Sequence, residues 1–205
     1  MLFCALFYQK KIYSIAQFIC RGIFRIFHIT YNIIGEFPNK GPYILMHNHS
    51  SFLDMFFLPI VIKGKFTGVV AAKNFKIPIL GALLKALKAI PIHRANSENA
   101  HKGIRKAEKM LKEGYHIAIF PEGTRTTTGE LGEFKKGGFH MAVNTQHNIL
   151  PIIVKGLYTI KPKTRWTLKK GQATMIIKKP INVKNKSVNE LLTQTRQIYL
   201  NEDLK

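Results

Sequence analysis

Cysteine is scarce in this sequence. The two cysteines, Cys4 and Cys20, both lie in the apolar N-terminal region. Two thiols so placed suggest neither a disulfide framework nor a metal site, and they are typical of a protein that faces the reducing cytosol. Six histidines lack a spacing that reliably indicates metal ligands: His28, His93, His101, His116, His140 and His147. We therefore expect no metal ion and no cofactor.

Acidic residues are also few. The sequence has 11 acidic and 32 basic residues, which gives a net charge of +21. Such a charge favours an anionic partner, and the candidate classes are nucleic acid, anionic lipid and an acidic carrier protein. The basic residues are scattered and match no recognised nucleic-acid-binding motif, so we expect no nucleic acid to bind. The alternative interpretation is compositional bias, since lysine, asparagine and isoleucine are all abundant.

Residues 1–34 contain no acidic residue and form a mostly apolar segment. From Tyr13 onward, the main polar positions recur every three or four residues, at Ser14, Gln17, Arg21, Arg25, His28 and Asn32. This spacing predicts a helix with one narrow polar stripe. A membrane-spanning helix would bury Arg21 and Arg25 at about 3 kcal/mol each, whereas a helix in the interface avoids most of that cost. We expect residues 1–36 to be an amphipathic membrane-interface segment; packing of this helix on its own domain is the alternative.

The rest of the chain alternates between strand and helix patterns, with no repeat or linker that would divide it. Strands are predicted at 43–46, 66–72, 90–93, 115–120, 149–154 and 173–177. Helices are predicted at 52–62 and 77–88, from Ser97 to Gly114, around 134–144, and after the capping box of Ser187 and Glu190. Repeated strand-helix units predict an α/β fold in which helices cover a mostly parallel or mixed sheet, with ligands at strand ends.

The segment NHSSFLD (48–54) supplies a candidate catalytic pair. Five residues along a continuous helix separate two side chains by about 140°, so His49 and Asp54 meet only if His49 lies in a turn and Asp54 lies early in the helix that follows. A neutral imidazole can take a proton from an attacking hydroxyl, and a carboxylate on its other nitrogen stabilises the imidazolium. The alternative is a polar pair that only satisfies local hydrogen bonds.

The segment FPEGTR (120–125) follows a predicted strand and supplies a candidate phosphate site. Gly123 would let the backbone approach a ligand closely. Arg125 can bind a phosphate with two parallel hydrogen bonds, which fixes its position as well as its charge. The alternative is an ordinary Pro-Glu-Gly turn.

These segments resemble the conserved blocks of the glycerophospholipid acyltransferase family, most closely the bacterial 1-acylglycerol-3-phosphate acyltransferases. The family pattern is N-H-x4-D, an apolar run that ends on Arg, F-P-E-G-T-R, and an apolar-Pro-apolar strand. All four blocks occur in family order between residues 48 and 153, the last as LPII (150–153). The second block, AIPIHR (89–94), departs from the pattern, with Pro91 where a bulky residue is common and His93 where an acidic one is common.

The resemblance implies that residues 37–205 form an acyltransferase domain, preceded by a membrane-associated helical segment. The implied reaction transfers a fatty acyl group from acyl-CoA or acyl carrier protein to lysophosphatidate, giving phosphatidate at the cytoplasmic face of the cell membrane. His49 would be the general base and Asp54 its partner, with no acyl-enzyme. Phosphate and glycerol binding would fall to Arg94, Glu122, Gly123, Thr124, Arg125 and, by a looser match, Lys73. Glu122 would repel a phosphate, so it would orient either the loop or a glycerol hydroxyl.

Three alternatives to this function remain open. The acceptor could be glycerol 3-phosphate or another lysolipid. A basic nucleic-acid-binding module and a non-catalytic membrane scaffold are different classes of protein altogether. Residues 161–170 are basic with a single tryptophan, Trp166, a composition that suits docking on anionic lipid or on an acidic carrier protein.

Overall fold

The structure is a computed structural model that describes the backbone of residues 2–92 and 97–202 and the side chains of residues 11–92 and 102–202. Within these residues one seven-stranded sheet has the order β1-β7-β6-β2-β5-β3-β4. The strands are β1 (Ile29–Ile34), β2 (Ile44–His47), β3 (Phe66–Ala71), β4 (Ile90–Ile92), β5 (His116–Ile119), β6 (Ile149–Lys155) and β7 (Gly171–Ile177). Neighbours run parallel except β6 and β7. The predicted α/β class with a mixed, mostly parallel sheet is confirmed.

Helices cover this sheet. They are α1 (Leu2–Ile26), α2 (Asp54–Phe57), α3 (Pro78–Ala86), α4 (Ser97–Lys112), α5 (Gly137–Thr145), α6 (Leu157–Ile160) and α7 (Val188–Leu200). The helix predicted at 52–62 is shorter than expected, because Pro59 lacks a backbone N–H and the chain continues as a 3₁₀ turn, Leu58–Ile60. The predicted capping box of Ser187 and Glu190 is present at the start of α7.

The prediction of helix through Ile34 is wrong. Helix α1 ends at Ile26, and Ile29–Ile34 forms the edge strand β1, paired in parallel with β7. His28 has a φ of 51°, in the left-handed region, and this breaks the helix. The strand sequence ITYNII is rich in β-branched residues, which favour extended backbone. The segment 1–36 therefore contains a sheet strand as well as a helix.

The most buried strands lie in the middle of the sheet. Every residue of β2 is buried, and so are all residues of β6 except Lys155. Strands covered on both faces read as continuous apolar runs, which is why the short segments 43–46 and 149–154 could be recognised. Because β2, β5 and β6 run parallel, their last residues, His47, Ile119 and Lys155, lie at one edge of the sheet, called the upper edge below.

Helix α1 packs on the domain with one of its apolar faces. Tyr13, Cys20 and Phe24 are buried in the core, and Gln17 donates a hydrogen bond to the carbonyl of Ile62 at 2.8 Å. A second apolar face is open to solvent and carries Ile15, Phe18, Ile19 and Ile26. In the part of the chain that the structure describes, no helix has the length and apolar character needed to cross a bilayer. The helix is thus both packed on its domain and apolar on its outer side.

A buried histidine, His116, lies at the end of the core opposite the upper edge. His116, the first residue of β5, is buried and its Nδ1 accepts a hydrogen bond from the backbone N–H of Tyr43 at 3.0 Å. Burial lowers the pKa of His116 to about 4. The same cause lowers the pKa of His47, at the end of β2, to about 4. Both rings are therefore neutral in the folded protein at neutral pH.

Folding stability should consequently fall in mild acid. An unfolded histidine has a pKa of about 6.5, so between about pH 6.5 and pH 4 the unfolded chain binds more protons than the folded one. The stability is fully present above this window and is lost as the pH falls through it. We expect each of the two histidines to remove about 2 kcal/mol from the free energy of unfolding between pH 7.5 and pH 5.

Urea denaturation at the two pH values measures this loss. In His116→Asn the side-chain oxygen can still accept a hydrogen bond, but it does not titrate. This variant should be less stable than wild type at both pH values and should lose about half as much stability between them. An equal loss in the variant and in wild type would show that His116 does not cause the acid sensitivity.

Candidate active site

His49 and Asp54 meet at the upper edge of the sheet. The turn 48–53 follows β2, and Asp54 is the first residue of α2, as the spacing of the two residues requires. The Nδ1 atom of His49 lies 2.9 Å from Oδ2 of Asp54. The same oxygen accepts backbone N–H bonds from Ser50 at 2.8 Å and Ser51 at 2.9 Å. Because Oδ2 accepts from all its neighbours, we assign the ring proton to Nδ1, which leaves Nε2 free to act as a base.

The turn that carries His49 is held by residues with unexpected partners. Asn48, Ser50 and Ser51 are residue types that often cap a helix, but no side chain caps α2. The amide of Asn48 instead makes two hydrogen bonds, each 2.8 Å long, with the backbone of Val154 in β6. Ser51 Oγ donates to the carbonyl of Lys161 at 2.7 Å. Asn48 and Ser51 do not cap α2 because neighbouring segments of the fold offer their side chains other partners.

Phe120 supports the imidazole from one face. The rings of His49 and Phe120 are stacked, with centroids 3.6 Å apart and planes inclined by 19°. The side chain of His49 is 16% exposed, whereas that of Asp54 is fully buried. The imidazole is therefore fixed by Asp54 at one nitrogen and by Phe120 on one face, while part of it stays open to a substrate.

Glu122 joins the two predicted motifs. Its Oε1 accepts the backbone N–H of His49 at 2.6 Å, and its Oε2 accepts that of Gly132 at 2.8 Å. The carbonyl of His49 in turn accepts from the N–H of Thr126 at 2.9 Å. Glu122 is only 4% exposed, and this burial raises the pKa of its carboxyl, while the two backbone hydrogen bonds act in the opposite direction. Both oxygens of Glu122 thus face the backbone of this chain.

The loop after Glu122 leaves a guanidinium available. Gly123 has a φ of 72°, a left-handed conformation that favours glycine, and its N–H donates to the carbonyl of Phe120 at 3.0 Å. Thr124 is exposed and Arg125 is half-buried. Arg125 forms no hydrogen bond or ion pair with any residue that the structure describes. Its cationic head can therefore receive an anionic ligand.

Of the two other predicted binding residues, Lys73 is among the described residues and Arg94 is not. Lys73 is exposed in the 3₁₀ turn Ala72–Lys76, which directly follows β3. Because β3 runs parallel to β5, this turn also lies at the upper edge. Arg94 and the rest of the second block after Ile92 lie outside the described residues. Among described residues, no group of three His, Cys, Asp or Glu side chains could hold a metal ion.

Two cavities adjoin Phe120. The first is a narrow apolar cavity of about 110 Å³ between α1, α3 and β3. Its lining includes His47, Phe120, Cys20, Val69, Leu80 and Leu84. The second lies between α4, α5 and β5 and is lined by Phe120, Glu122, Gly123, Thr124 and Lys135, among others. Space for an apolar chain and space beside the loop 122–125 therefore both border Phe120, whose ring stacks on that of His49.

Sequence reasoning missed Gly132 and Arg196. A Cβ on Gly132 would lie 3.0 Å from Oε2 of Glu122, so this position favours glycine. Arg196 in α7 donates to the carbonyl of Gly132 at 2.7 Å. Neither residue belongs to a motif with fixed spacing, and their contacts depend on how distant segments pack. No signal in the single sequence could have identified them.

Comparison with known proteins matches this geometry to a family. A family model described as acyltransferase matches residues 28–155. The chain is 31% identical over 163 residues to "1-acyl-sn-glycerol-3-phosphate acyltransferase LPAT1, chloroplastic" of Arabidopsis thaliana, an alignment that covers 78% of this chain and 46% of that protein. It is 33% identical over 153 residues to a 1-acyl-sn-glycerol-3-phosphate acyltransferase of Pseudomonas aeruginosa, covering 73% of this chain and 58% of the relative.

A solved structure has the same fold. The crystal structure of the 1-acyl-sn-glycerophosphate acyltransferase PlsC from Thermotoga maritima superposes with a TM-score of 0.83 at 24% sequence identity, covering 94% of this chain and 79% of that one. The chain spans about half the length of the curated relatives it matches. The resemblance predicted from the four blocks is confirmed, and the chain belongs to the acyltransferase family.

Proposed function

We propose that the protein transfers a fatty acyl group from a thioester to the free hydroxyl of lysophosphatidate, which yields phosphatidate. The observation that carries this proposal is the 2.9 Å contact between His49 and the buried Asp54 at the upper edge of the sheet. The backbone of His49 also bonds to that of Thr126, the residue that follows Arg125. The names of the relatives support lysophosphatidate as the acceptor.

The proposed reaction is a direct transfer. The acceptor oxygen attacks the thioester carbonyl carbon while Nε2 of His49 removes the hydroxyl proton. Asp54 stabilises the imidazolium that forms. The new carbon-oxygen bond gives an ester, the carbon-sulfur bond breaks, and the proton passes from His49 to the departing thiolate. No side chain is acylated in this sequence of steps.

Substrate phosphate would bind at the same edge. Arg125 is the main proposed ligand, because a guanidinium matches two phosphate oxygens at once. Lys73 and, from the family pattern, Arg94 would add charge, while Gly123 and Thr124 would bring backbone and hydroxyl groups close. Glu122 would keep the loop in place through its two backbone hydrogen bonds rather than touch the phosphate.

The apolar cavity beside Phe120 is the proposed site of an acyl chain. Each methylene transferred from water into such a cavity gains about 0.8 kcal/mol. The cavity is lined by α1 and α3 as well as by β3. The reactive carbonyl at the end of a chain bound there would lie close to Phe120 and so to His49.

Acceptor identity can be tested with a panel. Purified protein and a long-chain acyl-CoA are incubated with one acceptor per reaction: lysophosphatidate, glycerol 3-phosphate or lysophosphatidylcholine. The products are quantified by mass spectrometry. We expect phosphatidate formation to dominate. Faster acylation of glycerol 3-phosphate would instead support the alternative acceptor. Repeating the assay with acyl carrier protein as donor distinguishes the two thioesters.

We further propose that the upper edge faces the cytoplasmic surface of the membrane. Four exposed apolar residues, called the apolar rim, lie at this edge: Ile26, Phe27, Phe52 and Trp166. Ile26 and Phe27 precede β1, whose first residue pairs with Gly171 at the start of β7. Phe52 lies in the turn of His49. Trp166 is 98% exposed in the loop 161–170, which Ser51 ties to that turn. The outer apolar face of α1 would enter the same interface.

The loop 161–170 adds positive charge to this rim. No acidic residue occurs between Glu133 and Glu190. Lys163, Lys169 and Lys170 are exposed. Lys161 and Arg165, by contrast, donate hydrogen bonds to backbone carbonyls of the loop and of α6, so they stabilise the loop rather than extend from it. The three exposed lysines are therefore the proposed contacts with anionic lipid.

Replacing Lys163, Lys169 and Lys170 by glutamine should weaken binding to anionic vesicles by on the order of 10²-fold, since each basic residue near such a surface contributes about 1 kcal/mol. Trp166→Ala should weaken binding to neutral vesicles as well. Flotation with phosphatidylcholine vesicles, with and without phosphatidylglycerol, measures both effects. The control replaces Lys85, Lys106 and Lys109, exposed toward the opposite edge, by glutamine. Equal losses in the two triple variants would rule out this docking surface.

A further inference from the structure

The C-terminal helix contacts the site although it lies beyond the residues matched by the family model. That match ends at residue 155, whereas α7 spans Val188–Leu200. Tyr199, fully buried, donates its hydroxyl proton toward the carbonyls of Met46 in β2 and Ile152 in β6. Arg196 donates through Nη1 to the carbonyl of Gly132 at 2.7 Å. Helix α7 is therefore attached both to the strand that leads to His49 and to the loop beside Glu122.

A continuous path of hydrogen bonds runs from Arg196 to His49. Gly132 accepts from Arg196 with its carbonyl and donates its N–H to Oε2 of Glu122 at 2.8 Å. The other oxygen of Glu122 accepts the N–H of His49 at 2.6 Å. Two residues, Gly132 and Glu122, thus separate the guanidinium from the backbone of the proposed base.

The charges around Glu122 give Arg196 a second role. Burial and the nearby carboxylate of Asp54 raise the pKa of Glu122, while the N–H groups of His49 and Gly132 and the charge of Arg196 lower it. An ionised Glu122 accepts both N–H bonds best, because a carboxylate is purely an acceptor at both oxygens, whereas a protonated carboxyl carries an O–H donor on one of them. Arg196 itself is held over the ring of Phe134, 5.7 Å from the centroid.

We infer that Arg196 is a positioning residue for the catalytic base: through Gly132 and the ionised Glu122 it fixes the backbone of His49, and so the direction of its imidazole. This role rests on the proposed acyl transfer, yet the path of hydrogen bonds exists whatever the substrate is. Arg196 touches neither His49 nor the space beside Arg125, so it acts on the rate of the chemical step rather than on substrate binding.

The experiment compares Arg196→Gln with Arg196→Lys. Without the cation, Glu122 becomes protonated at a higher pH, so activity should be lost earlier as the pH falls. We expect kcat of Arg196→Gln to drop about tenfold, to fall further at lower pH and to recover partly at higher pH, with KM for lysophosphatidate unchanged. Arg196→Lys keeps the charge and should restore most of the rate. In the Glu122→Gln background, where residue 122 cannot titrate, Arg196→Gln should cause no further shift of the pH profile.

A second readout does not depend on activity. Carbon-13 NMR of the Glu122 carboxyl should show it titrating at a higher pH in Arg196→Gln than in wild type, whereas Arg105→Gln, on the exposed face of α4, should leave it unchanged. An identical Glu122 titration in wild type and Arg196→Gln would overturn the inference. So would a loss of kcat that is equal at every pH and is not restored by lysine. Absence of acyl transfer in wild type would instead overturn the proposed function, and the NMR result would still decide the role of Arg196.

Discussion

Replacing His49 by alanine is expected to reduce the rate of acyl transfer by about 10²- to 10⁴-fold, the usual contribution of a general base. The hydroxyl of the acceptor would then have to lose its proton to water in a site built around the imidazole. The KM for lysophosphatidate should change little, because the proposed phosphate ligands remain. Initial rates of phosphatidate formation by wild type and variant measure this effect.

The partner of His49 provides the internal test of this prediction. Asp54→Asn keeps the shape of the side chain but replaces one accepting carboxylate oxygen by an NH2 group, which cannot accept a hydrogen bond. In wild type, two backbone N–H groups donate to Oδ2 of Asp54. Asp54→Asn should lose activity by a similar order. The double variant, His49→Ala with Asp54→Asn, should be hardly slower than either single variant, since the two residues act as a unit. His140→Ala, on the exposed face of α5, is the control and should retain full activity. Additive losses would contradict a coupled pair.

The second large effect is expected at Arg125. Two hydrogen bonds from a guanidinium to a phosphate contribute about 1.5 to 3 kcal/mol each, so Arg125→Ala should lower kcat/KM for lysophosphatidate by at least about 10²-fold. Arg125→Lys keeps the charge without the two-pronged geometry and should fall between wild type and alanine. The KM for the acyl thioester should stay nearly constant in both variants.

Steady-state kinetics with each substrate varied in turn separates these outcomes. Arg105→Ala is the matched control, because it removes an exposed arginine from α4, away from the loop 122–125. If Arg125→Ala raised the KM of the thioester and left that of lysophosphatidate unchanged, Arg125 would bind the donor. If it changed neither, the proposed phosphate site would be wrong.

Features that depend on nearby residues were the easiest to predict. His49 and Asp54 are five residues apart, and their contact needs only a strand that ends in a turn and a helix that begins at Asp54. The buried strands β2 and β6 could be recognised because a strand covered on both faces is a continuous apolar run. The capping box of α7 is likewise a local pattern that fixes its own contacts.

Features that depend on distant segments could not be predicted. Glu122 contacts His49 across 73 residues, and it does so because β2 and β5 are neighbours in the sheet. Strand β7 runs antiparallel to β6 and pairs with β1. Both features depend on the path of the chain between β6 and β7, and no periodic pattern in the sequence indicates that path. Gly132 and Arg196 became part of the site only through this packing.

The sequence also could not show which part of the apolar surface of helix α1 is covered by the domain. Its composition indicates a wide apolar face but not how much of that face the domain covers. In the structure Cys20 and Phe24 are buried, whereas Phe18 and Ile26 are exposed on the other side. Gln17, one of the residues of the predicted polar stripe, donates its side-chain amide to the carbonyl of Ile62. One side of the helix packs on the domain, and the proposed contact with a membrane would use the other side.

We propose that His49 catalyses acyl transfer to a phosphorylated glycerol acceptor. The most direct test measures phosphatidate formation from lysophosphatidate and a long-chain acyl-CoA by wild type and by His49→Ala, each incorporated in vesicles. The proposed function predicts phosphatidate formation by wild type that falls by about 10²-fold or more in the variant. Equal rates for the two proteins would contradict the role of His49, and no product from wild type with either thioester donor would contradict the proposed reaction itself.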